Sequence, residues 1–129
     1  MAIEIKVSFG ELVDKLTILQ IKLQKIADLN KLDKIGSEFK ILSKAAVKIK
    51  NKDKEFYEES FKKLLLINSE LWEIEDEIRI KEKNLEFDDD FIKLARNVYI
   101  KNDIRFEIKN DINNHFSSEL REQKDYEKY

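Results

Sequence analysis

Cysteine and proline are absent from these 129 residues, and glycine occurs only at Gly10 and Gly36. Without cysteine there is no disulfide and no thiol nucleophile, and a reducing compartment fits. A chain with no proline and almost no glycine lacks the residues that tight turns use. That excludes a sheet of many hairpins and suits long helices. His115 is the sole histidine, so the nitrogen and sulfur ligands of a usual zinc site run out. No apolar run approaches the ~18 residues of a membrane span. The opening MAIEIKVSFGEL has no basic region followed by a long apolar stretch, so no signal peptide is expected and the expected location is cytoplasmic. Neither charge dominates, with 25 basic and 27 acidic residues, which argues against a general nucleic-acid binder. The lysines from Lys44 to Lys54 are broken by Ala, Val, Ile and Asp and read as a solvated helix face. There is no P-loop or dinucleotide fingerprint, and Ser8 has no triad partners near it.

What is present reads as helix. The length suits one domain, residues 1–129, large enough to bury a core without a metal or disulfide. In residues 1–7, Ile3, Ile5 and Val7 alternate with polar side chains. That predicts an extended arm, or a strand that pairs with its copy in a dimer. Ser8 and Glu11 have capping-box spacing, with Val7 and Leu12 as the staple. The first helix then carries the seam Phe9, Leu12, Leu16, Leu19, Leu23, Ile26. Val13, Ile18 and Ile21 lie off that seam, so the helix is either central or meets another subunit. A second helix is expected from Asn30, as N-cap, to Lys50. Gly36 weakens it by about 1 kcal/mol relative to alanine. A third runs from Asp53 to Lys83, with the seam Leu64, Ile67, Leu71, Ile74, Ile78 and a second row Phe61, Asn68, Trp72, Glu75, Arg79. A fourth is capped by Asp88 and continues to about Phe116. Residues 117–129 form a charged tail. The predicted fold is all-α: an antiparallel bundle of about four long helices with a short extended N-terminal arm.

The fourth helix holds the informative pattern. Its inward line reads Phe91, Ala95, Val98, Asn102, Arg105, Lys109, Ile112, Phe116, apolar at both ends and polar in the middle. Inward Arg105 and Lys109 are costly unless paired. One reading is a structural network, with Glu75 pairing Arg105 or Lys109 and asparagines satisfying the rest. The other is an anion pocket of Trp72, Glu75, Arg79, Asn102, Arg105 and Lys109, in which the cations outnumber Glu75. Arginine forks suit phosphate or carboxylate, and Trp72 or Tyr99 could stack a ring.

Acids at i, i+3 raise a second chemistry. Glu11 with Asp14, and Glu70 with Glu73, have the spacing of helical Mg²⁺-dependent nucleotide or phosphate-ester hydrolases, which put both carboxylates on one face. The signal is weak, because 27 acids in this length give roughly five to six such pairs by chance. A solvated helix face is the better explanation of them.

The segments Val7–Lys15, Leu71–Arg79 and Phe91–Arg105 together resemble a small all-helical family of bacterial and phage proteins, the domain of unknown function numbered 6165. The resemblance implies that the three segments belong to one domain. It implies no activity, ligand or catalytic residue. The expectation is therefore a non-enzymatic domain without cofactor, binding a small anion or a protein. It is expected to form a homodimer or other homo-oligomer through Val13, Ile18 and Ile21, or through Ile100, Ile104 and Ile108.

Overall fold

Each helix starts where a side-chain oxygen can take a free backbone N–H. In the computed structural model, which describes residues 1–117, the elements are α1 (Phe9–Lys25), α2 (Leu29–Lys50), α3 (Lys54–Lys83) and α4 (Asp89–His115). Ser8 Oγ accepts from the Glu11 N–H at 3.1 Å, Asp53 Oδ1 from Phe56 at 3.1 Å, and Asp88 Oδ1 from Phe91 at 2.9 Å. These are the caps that the sequence predicts. The start of α2 is different. Asp28, not Asn30, is its cap, and Asn30 is one of the two residues whose N–H it takes. A carboxylate gains from the positive end of the helix as well as from the hydrogen bonds, and a neutral amide does not. No strand occurs among the described residues, and the arm before Ser8 leaves Ile3 and Ile5 about four-fifths exposed. The expected tail lies, beyond Ser117, outside the described residues.

α1 is the central element. It packs against all three other helices, α2 rests chiefly on α1, and α3 and α4 form a long antiparallel hairpin. This decides the question raised by the two-sided apolar pattern of α1. Val13 and Ile21 are buried inside the bundle and Ile18 is half-buried, so most of the extra row packs within the chain. Of the alternative row on α4, Ile100 and Ile108 are half-buried and only Ile104 is exposed. The core joins Phe9, Val13 and Leu16 of α1 to Ala46, Tyr57, Leu64, Ile67 and Ile112. Each large side chain so buried contributes roughly 1.5–3 kcal/mol.

Close approach of α1 to α4 depends on Gly10. A Cβ there would lie 2.5 Å from the Lys109 carbonyl oxygen, and the Gly10 N–H donates to Asn113 Oδ1 at 2.7 Å. At the same end, His115 stacks on Phe56 at 3.6 Å between centroids. Its Nε2 lies 2.8 Å from Asp53 Oδ2, tying the end of α4 to the cap of α3. α1 leaves the α3–α4 groove at Lys25, whose ammonium meets Glu73 at 2.8 Å. α3 continues from there to Lys83, roughly 15 Å further at ~1.5 Å per residue. The last third of the groove thus has no α1 over it. No helix among the described residues is long and apolar enough to cross a membrane.

Candidate functional site

The covered part of the groove is held by a polar ladder. Gly10, Asp14, Thr17 and Ile21 recur on α1 at steps of four, three and four, which places them on one face. Asp14 is almost wholly buried and receives a two-pronged grip from Arg105. Nε donates to Oδ1 at 2.8 Å and Nη2 to Oδ2 at 2.5 Å. Asn68 Nδ2 donates to Asp14 Oδ1 at 2.9 Å and to Thr17 Oγ1 at 2.9 Å. The Thr17 hydroxyl in turn donates to the Asp14 carbonyl at 2.6 Å. Asn102 Oδ1 accepts from Arg105 Nη1 at 3.3 Å. Below, Lys109 Nζ meets Glu11 Oε2 at 2.8 Å, its side chain 8% exposed. Among the described residues no buried side-chain nitrogen or oxygen lacks a partner. Such satisfaction is what makes buried charge tolerable.

This corrects the charge count made from the sequence. Glu75 pairs with neither Arg105 nor Lys109. The carboxylates come from α1, Asp14 for Arg105 and Glu11 for Lys109, so the surplus of inward cations is cancelled. Asp14 and Thr17 were the residues that sequence reasoning missed. Their signal was the row on α1, hidden because Glu11 and Asp14 were read as an exposed acidic pair.

Above the ladder, where α1 turns away, a cleft of about 390 Å³ opens. Ile18, Ile21 and Leu71 give it apolar walls, and Trp72, half-buried, stands among them. Glu75, Asp76, Arg79, Asn102 and Arg105 supply its polar lining. Five of the six residues anticipated as a ligand site therefore line one cleft. Lys109 does not; it lies with Glu11 under α1. Arg79, unlike Arg105, makes no ion pair among the described residues. At the cleft's edge, Glu73 and, more weakly, Asp76 hold the Lys25 ammonium above its ordinary pKa, the hydrogen bond to Glu73 being the main cause.

The four acids of the metal-dependent reading are spread over four different cations. Glu11 is with Lys109, Asp14 with Arg105, Glu70 with Lys101 at 2.8 Å and Glu73 with Lys25. Among the described residues no three His, Cys, Asp or Glu side chains gather as a metal-holding group.

The geometry is that of a helical domain whose central groove is filled along most of its length and open toward one end. The chain belongs to the family of unknown function DUF6165, whose profile matches residues 1–129. No curated protein and no solved structure matches it.

Proposed function

We propose that this is a non-enzymatic binding domain whose cleft at the end of α1 takes a small organic anion. The observation that carries the reading is the cleft's composition. A tryptophan and three aliphatic side chains give an apolar bed, while guanidinium groups from α3 and α4 reach the same space. Small-molecule sites are commonly apolar with a few convergent polar groups. The charge balance narrows the ligand class. Glu75 and Asp76 line the same cleft, and Asp14 stands behind Arg105, so a multiply charged anion would meet repulsion. A singly charged phosphate or carboxylate that also carries hydroxyl or amine donors and a flat apolar part fits best. Its anionic group meets Arg79 and the edge of Arg105, its ring lies on Trp72, and its donors face Glu75.

The single tryptophan makes the test direct. Trp72 fluorescence is titrated with inorganic phosphate, a singly charged nucleoside cyclic monophosphate and phenylalanine. The expected result is a saturable change with at least one organic probe, abolished in Arg79→Ala. No saturable change with any probe, or one indifferent to Arg79→Ala, would overturn the proposal.

A further inference from the structure

The two ends of α3 present surfaces of opposite chemistry. Beyond its C-terminus the loop to α4 is tightly built. Glu86 N–H donates to the Lys81 carbonyl at 2.9 Å, and Leu85 sits at φ 56°, the left-handed position that glycine usually fills at a helix end. Lys81 fastens the loop through Asp88 at 2.8 Å. Yet this ordered loop turns its apolar side chains outward. Leu85 is 73% and Phe87 55% exposed, with Phe87 propped edge-on against Phe91 at 5.3 Å. Glu82, Glu86, Asp88, Asp89 and Asp90 surround them in sequence. The result is an apolar knob with an acidic collar.

At the other end, α2 and the start of α3 diverge around an apolar cleft of about 410 Å³. Leu16 and Ala46 form its buried floor, and Phe39, Tyr57 and Phe61 are aromatic walls. Lys50 and Lys62 also line it, with Glu58 the one acid. Lys50 lies over the Tyr57 ring at 5.3 Å. The α2 side, from Lys40 to Lys54, carries Lys40, Lys44, Lys48, Lys52 and Lys54 against the single Asp53, while Glu55, Glu58 and Glu59 follow on α3. It is an aromatic socket with a basic collar.

We propose that the knob of one copy docks in the socket of a second copy. Both surfaces are apolar, and the charges around them are complementary. The two surfaces lie at opposite ends of a helix roughly 45 Å long, at ~1.5 Å per residue, so no chain can fill its own socket. The contact is head-to-tail, which propagates to rings or filaments and does not stop at a two-fold dimer. The surface differs from the Trp72 cleft, and neither proposal depends on the other.

Sedimentation velocity of the full chain tests it, from micromolar to near-millimolar concentration. At low salt the sedimentation coefficient rises past that of a dimer, and high salt weakens the effect. Leu85→Gly keeps the backbone conformation and removes the knob's side chain. Val47→Glu places an acid at the exposed edge of the socket. Each weakens self-association on the order of tenfold or more. An equimolar mixture of the two variants recovers association but stops at a heterodimer, because each still offers one intact surface. A wild-type chain that stays monomeric throughout overturns the proposal. So does self-association indifferent to both substitutions, or a mixture that fails to pair.

Discussion

The covered and open parts of the α3–α4 groove are built from the same rows of residues and end differently. Under α1, the guanidinium of Arg105 meets the buried carboxylate of Asp14, and Asn68 and Thr17 complete the hydrogen bonding. Beside the last turns of α1, whose Ile18 and Ile21 form part of the wall, Arg79 stands in an open cleft with Glu75, Asp76 and Trp72. The lesson is that an inward arginine is structural or available according to whether a third helix covers it. The helix that carries it does not decide.

The sharpest way to break this contrast is Arg105→Ala. It leaves Asp14 charged and buried without its guanidinium, which costs on the order of 3–5 kcal/mol. Replacing both partners, Asp14→Leu with Arg105→Met, should recover most of that loss, since apolar residues of similar size often match a buried pair. Chemical denaturation of the single and double variants checks both statements.

The two glycines extend the comparison to the backbone. Gly10→Ala forces its Cβ against the Lys109 carbonyl and Asn113, and a loss of about 1–3 kcal/mol is expected as α1 and α4 separate. A Cβ at Gly36 meets nothing within 4 Å. Gly36→Ala should therefore stabilise the protein by up to ~1 kcal/mol. Leu85→Gly should also raise the melting temperature, by relieving the left-handed leucine at a gain of roughly 1 kcal/mol, while weakening self-association. A change that stabilises the fold and removes an interaction marks a residue kept for that interaction.

The smallest effects concern the exposed caps in acid. Hydrogen bonds from the Phe56 N–H and then His115 hold Asp53 below its ordinary pKa. Lys81 and then the Phe91 N–H do the same for Asp88. A carboxylate whose folded pKa is depressed contributes stability in full above its unfolded value. That contribution is lost as pH falls from the ordinary 3.8 through the lower folded value. Denaturation midpoints measured from pH 6 down to pH 2 should fall less steeply in Asp53→Asn and Asp88→Asn than in the parent, with the slopes differing only below about pH 4.

Much of the fold was legible in the sequence because caps and apolar stripes are local. Ser8, Asp53 and Asp88 each act within three residues, and the steps of three and four on α3 and α4 need no knowledge of the partner. The open cleft was legible for a related reason. Trp72, Glu75 and Arg79 share one row of α3, and Asn102 and Arg105 one row of α4, and the short connection between Lys83 and Asp89 sets the antiparallel register that brings the two rows together. The neutralisation of Arg105 and Lys109 was not legible. It depends on which face of α1 enters the groove and at what height, a tertiary register that no local pattern fixes. Asp14 looked like one more surface acid among many, and only the neighbouring Gly10 and Thr17 on its row hinted at a close, polar helix crossing. The socket between α2 and α3 was illegible too, because it arises from two helices failing to pack.

The contrast between covered and open arginine is tested most directly by melting Arg105→Ala and Arg79→Ala side by side without ligand. The account predicts a fall of roughly 10–20 °C for Arg105→Ala and a curve indistinguishable from the parent for Arg79→Ala. Equal shifts in the two variants, or a stable Arg105→Ala protein, would contradict it.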